Sequence, residues 1–216
     1  MKKIHDILFK YRLIMVILFF PFYSTWFYLL EKRENVDFIN VHCVVDDIIP
    51  FNEIFIIPYM LWFFYVVFIL AFLFLKKYYS DFYRCAAMLM TGMIISLIIY
   101  TLFPNMQTLR PETLTRDNIF THVVLRLYST DTCTNVCPSL HVYNSLCIHH
   151  AVIKCEFFKD KTVLKYISGI LCILICMSTV FLKQHSFVDV VAALILYAIL
   201  LTIFHFSGII KEIHKK

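Results

Sequence analysis

The chain has 216 residues, 61% of them hydrophobic and only 16% charged, with a mean hydropathy of +0.76. Soluble domains run near ~25% charged, so an ordinary water-soluble globule is excluded. A net charge of +5 could suggest nucleic acid. No interleaved basic and aromatic stripe lies outside the apolar runs, so no nucleic-acid partner is expected.

The apolar runs are continuous and about as long as a bilayer is thick, the pattern of spanning helices and not of barrel strands. The expected fold is all-α, one integral membrane domain covering 1–216. Spans are predicted at roughly 13–30, 54–75, 85–103, 140–157, 163–182 and 186–206. A basic lead, 1–12, precedes the first. No small-residue cleavage site follows it, and Phe19, Phe20, Trp26 and Phe27 continue the run, so a retained helix is expected.

Loop 31–53 is acidic, and its end, Asp46-Asp47-Ile48-Ile49-Pro50-Phe51, is placed to re-enter the interface. The second span clusters Tyr59, Trp62, Phe63, Phe64 and Tyr65, read as rings packed against lipid. After Phe103-Pro104 comes the longest non-membrane stretch, 104–138. Within it Phe120, Val123, Val124 and Leu127 recur at helical spacing. The segment Ile119 to Tyr128 is too short to span and carries Arg126, so a short interfacial helix is predicted. Asn144, His149 and His150 interrupt the fourth span. The fifth and sixth are joined by a very tight turn, Lys183-Gln184-His185.

Lys and Arg concentrate in the lead, around 76–84, in 154–165 and at the end of the chain. The positive-inside rule then puts both termini in the cytoplasm. It puts 31–53, 104–138 and the 183–185 turn on the outer face.

That placement brings chemistry together. His185 and Asp189 are four apart at a helix start and share a face. Asp189 sits in an apolar run, where a carboxylate is costly unless it is paired. Paired with His185, it would fix the ring tautomer and make the other nitrogen a better nucleophile. Cys137-Pro138-Ser139-Leu140-His141 reads as a helix start, whose free N–H groups and dipole suit an anion. Ser139 as a plain cap and His141 as an interfacial side chain is the purely structural alternative. Arg110 and Lys183 add cations on the same face. Two imidazoles, an orienting carboxylate, a helix N-terminus and two cations are what phosphoryl transfer needs.

These residues carry a resemblance. Pro138-Ser139-Leu140-His141 resembles the second signature of the type 2 phosphatidic acid phosphatase superfamily, usually Pro-Ser-Gly-His. Ser178, His185 and Asp189 match the spacing of its third signature, and Arg110-Pro111 matches the end of its first. Leu140, the Lys183-Gln184-His185 run and Asp47-Ile48-Ile49-Pro50-Phe51 look most like the inositol phosphorylceramide synthase-like and sphingomyelin synthase-like branch. The resemblance implies His185 as the nucleophile forming a phosphohistidine, oriented by Asp189. It implies His141 as acid and then base, with Ser139 and Arg110 on phosphate. Two cation positions of the signatures are occupied by Phe103 and Thr179, and Lys183 stands as the replacement for one.

The function expected is a metal-independent lipid phosphatase or phosphotransferase of the cell membrane. Its substrate would be a phospholipid or a polyprenyl phosphate, its site would lie at the outer face, and it would need no cofactor or metal. Water or an alcohol could be the acceptor. Two other readings stand beside it: an inactive scaffold of the same fold, and a haem- or metal-binding membrane protein using His149, His150 and His205. Three Gly in the whole chain give a transporter poor support. Cys133 and Cys137 are spaced for a disulfide in an oxidising compartment. His149-His150 is expected to be packed or hydrogen-bonded.

Overall fold

The computed structural model describes residues 2–206, with side chains from Leu13 onward. Among these are eight α-helices: α1 (Lys2–Glu31), α2 (Val44–Ile48), α3 (Ile56–Leu75), α4 (Tyr79–Leu102), α5 (Ile119–Thr130), α6 (Leu140–Lys154), α7 (Thr162–Phe181) and α8 (Phe187–Phe206). Two two-residue strands, β1 (Ile39–Asn40) and β2 (Asn105–Met106), pair in parallel. The basic tail holding Lys211, Lys215 and Lys216 lies outside the described residues.

Five segments are long and apolar enough to cross a membrane: Leu13–Glu31, Glu53–Leu75, Tyr79–Leu102, Thr162–Phe181 and Phe187–Phe206. The fourth predicted span differs. α6 has 15 residues, about 22 Å of helix against a hydrocarbon core of ~30 Å. It ends at Lys154, and a 3-10 turn, Glu156–Phe158, follows. The all-α class and the build of a membrane protein hold; the count of six crossings is not carried by the helix lengths.

α6 is the axis of the bundle. α3, α4, α7 and α8 all pack on it, and Val142, Tyr143, Ile148 and Val152 are buried among them. Its polar residues therefore meet other helices instead of lipid. His149 Nδ1 pairs with Ser168 Oγ at 2.9 Å, and His150 Nδ1 with Tyr197 Oη at 3.1 Å. Tyr143 crosses to α4 and donates to Met88 O at 2.7 Å. Its ring lies where a side chain at Gly92 would be: an added Cβ would sit 2.0 Å from Tyr143 Cζ. Glycine is the residue that permits this approach.

The outer end is closed by the two long loops. Glu31 accepts from Thr132, Thr134 and Asn135. Arg33 donates to Tyr100 O and to Asn135 Oδ1. The short parallel ladder ties 39–40 to 105–106. Asn105 Oδ1 accepts from the backbone N–H groups of Val136 and Cys137, each at 2.8 Å. Tyr100 donates to Pro138 O at 2.5 Å. These bonds deliver the chain to the start of α6 in one position.

The helix predicted from the spacing of Phe120, Val124 and Leu127 is α5. Asn118 caps it, accepting from Thr121 N at 3.0 Å. Its buried side packs on Ile56, Tyr59 and Leu182, at the mouth of the bundle.

Candidate active site

The turn between α7 and α8 is held from every side. Thr179 O accepts from both Gln184 N and His185 N, at 2.9 and 3.0 Å. Lys183 takes a left-handed φ of 51°, a conformation kept when surrounding bonds over-determine it. Phe181 O accepts from Asn52 N, Leu182 O from Tyr128 Oη at 2.6 Å, and Lys183 O from Gln107 Nε2 at 3.0 Å. The wholly buried Gln107 also accepts Leu109 N at 2.6 Å.

Asp46 closes the remaining side. Its Oδ1 accepts from Phe187 N at 2.7 Å; its Oδ2 accepts from Ser186 Oγ at 2.6 Å and from Cys43 N at 2.8 Å. A carboxylate from α2 thus caps the first turn of α8, where the exposed N–H groups favour negative charge. Burial works against its ionisation, but the bonds from Ser186, Phe187 and Cys43 outweigh it and hold the carboxyl below its usual range.

Within that frame His185 Nδ1 lies 3.1 Å from Asp189 Oδ2, which also accepts Ser186 N at 2.9 Å. A carboxylate there accepts the Nδ1 proton, which leaves Nε2 with its lone pair. Asp189 is fully buried and His185 is 8% exposed. Ser139 N donates to Asp189 O at 3.1 Å and so locks the start of α6 to the start of α8. The result sets the His141 ring against the His185 ring, with centroids 5.7 Å apart and planes at 63°. Tyr59 stacks on His141 at 4.5 Å and Trp62 packs on it at 4.3 Å. The aromatic cluster of the second span therefore divides. Phe63 and Phe64 are exposed as expected of lipid-facing rings, whereas Tyr59 and Trp62 hold a histidine and Tyr65 is buried.

The three segments that the sequence separates do meet here, but the cations are occupied. Arg110 Nη2 donates to Gln184 Oε1 at 2.6 Å, beside His185. Its other terminal bonds go to Tyr128 O, Asp131 O and Thr132 O, at the C-terminal end of α5. Lys183 Nζ donates to Asp46 O and Ile49 O, at 2.6 and 2.5 Å. Burial pulls its ammonium below the usual lysine range, against the charges of Asp46 and Asp47. Lys183 is a strut between the turn and α2. Arg110 keeps only Nε without a partner.

Four buried polar atoms of these residues have no hydrogen-bond partner: Arg110 Nε, Ser139 Oγ, Gln184 Nε2 and Asp189 Oδ1. Trp62 Nε1, on the residue packed against His141, is a fifth. Such groups are rare in native interiors, and these five lie close together at the start of α6 and α8. Ser139 stands at the cap position of α6, yet its hydroxyl makes no capping bond.

Three residues at the site escape a reading of the sequence. Asp46 was one of six acids in its loop, and only the fold singles it out. Gln184 was a spacer. Asp131 faces the site: Tyr59 Oη donates to its Oδ2 at 3.5 Å. Burial holds its carboxyl above the usual range, partly offset by the charges of Arg110 and His185. Cys133 and Cys137 are free thiols. Among the described residues, no group of three or more His, Cys, Asp or Glu is placed to hold a metal ion.

Comparison with protein-family models, curated proteins and solved structures finds no match.

Proposed function

We propose that the chain is a membrane lipid phosphatase or phosphotransferase that works through a phosphohistidine at His185. One observation carries this reading: two imidazoles face each other at 5.7 Å, and one of them rests on a buried carboxylate. The resemblance to the type 2 phosphatidic acid phosphatase signatures supports the same roles.

In the first step Nε2 of His185 attacks phosphorus and forms a P–N bond. The P–O bond to the leaving group breaks, and His141 gives the leaving oxygen its proton. The positive imidazole of the intermediate is balanced by Asp189. In the second step His141 takes a proton from water or from a lipid alcohol, whose oxygen attacks phosphorus as the P–N bond breaks. Ser139 Oγ, Gln184 Nε2 and Arg110 Nε are the donors available to the phosphoryl oxygens. Lys183 serves the site by holding the turn.

A second reading, an inactive scaffold, is favoured by one fact. The terminal nitrogens of Arg110 and the ammonium of Lys183 are spent on protein acceptors. One assay separates the two. The purified protein is offered phosphatidate, a polyprenyl diphosphate and a phosphodiester headgroup donor, with and without alcohol acceptors, in chelator. The enzyme reading predicts phosphate release or headgroup transfer by the wild type and none by His185→Ala. Equal turnover by both removes it.

A further inference from the structure

A cavity of about 490 Å³ opens at the other end of the bundle, between α4, α6 and α8. It is far from the histidine pair by construction. Its lining comes from the first turns of α4 and the last turns of α6 and α8, whereas the pair sits where α6 and α8 begin. The size lies in the range of small-molecule sites.

The lining is graded along the helix axes. Arg84, Lys154 and His205 form a polar layer at the helix ends, and His150 adds an imidazole one turn further in on α6. Met88 follows Arg84 by four residues and Leu201 precedes His205 by four, which places them about 6 Å deeper. Cations with donor groups at the outside and apolar side chains one turn inward match an anionic head joined to a hydrocarbon chain. Arg84 shares its charge with Asp81, which also lines the space. Lys154 therefore supplies the net positive charge. Tyr197 Oη bonds His150 Nδ1, which fixes the ring and leaves Nε2 for a ligand.

We propose that this cavity binds the phosphate headgroup of an anionic phospholipid from the leaflet opposite the histidine pair. The apolar inner wall takes the first part of one acyl chain. The source is a lipid and not free phosphate, because inorganic phosphate has nothing to place against Met88 and Leu201. The site is independent of the catalytic reading and stands or falls separately.

Native mass spectrometry of the full chain, released from mixed micelles of phosphatidylglycerol and phosphatidylcholine, tests it. The wild type should retain phosphatidylglycerol over phosphatidylcholine. Lys154→Glu should reduce that preference about fivefold or more. Lys76→Glu, the same charge change on an exposed residue at the same end of the bundle, should leave it in place. Leu201→Trp fills the inner part of the cavity without touching charge and should lower retention of both lipids. An excess of inorganic phosphate should not displace the bound lipid. All readings are made on the monodisperse, helical fraction of each variant. No preference in the wild type, equal effects of Lys154→Glu and Lys76→Glu, unchanged retention in Leu201→Trp, or displacement by phosphate would each overturn the proposal.

Discussion

Removing the Asp46 carboxylate should unfasten the turn that carries His185. In Asp46→Ala the donors Phe187 N, Ser186 Oγ and Cys43 N lose their acceptor together. Asp46 is 3% exposed, so water does not readily replace it. Bonds to a charged group contribute about 1.5–3 kcal/mol each, and orphaned buried donors cost about 1–3. These are not additive within one cluster, and a loss of about 3–5 kcal/mol is expected. Asp46→Asn keeps one acceptor and should lose about half as much. Asp47→Ala is the control. It is exposed, its carboxylate bonds only His42 among the described residues, and it should change stability by less than ~0.5 kcal/mol. The assay is the unfolding midpoint in mixed micelles of increasing denaturing detergent, read by circular dichroism. The folded carboxyl titrates below its unfolded value of ~3.9. Its contribution is therefore present above that pH and is lost as pH falls through the folded value. Wild type should lose stability below about pH 4 more steeply than Asp46→Asn. An Asp46→Ala midpoint equal to that of Asp47→Ala would refute the reasoning.

Ser139→Ala should leave stability within ~0.5 kcal/mol, since the hydroxyl makes no bond in the fold, yet slow turnover about tenfold to a hundredfold. Asp189→Asn should cut turnover by roughly 10²–10⁴ while the protein stays folded, because the amide no longer fixes the His185 tautomer or balances its charge. Gly92→Ala should destabilise by about 2–4 kcal/mol as Tyr143 is driven off Met88 O. Gly92→Ala with Tyr143→Leu should recover part of that loss, measured by the same unfolding titration.

Helix positions were legible because apolar length is written directly in the sequence. α3, α7 and α8 begin and end within a few residues of the predicted bounds. α6 is shorter than the predicted span at 140–157 and does not carry a crossing by its length, because apolar content does not say what covers a helix. A helix sheathed by four others and a helix sheathed by lipid look alike until Asn144, His149 and His150 are taken as a sign of helix neighbours. The meeting of Ser139, His141, His185 and Asp189 followed from charge bias and helix starts. The partners of Arg110 and Lys183 did not, since nothing local says that a carbonyl from α2 or α5 will reach them first. Asp46, Asp131 and Gln184 became visible only through contacts across 72 to 140 positions of sequence.

The central claim is a covalent bond between phosphorus and His185. Rapid acid-free quenching of the purified protein with a lipid labelled at the transferred phosphate tests it most directly. The account predicts a protein-bound label that is stable to alkali and labile to acid in the wild type, and no label in His185→Ala. Lipid turnover without any such label, or the same label in His185→Ala, would contradict it.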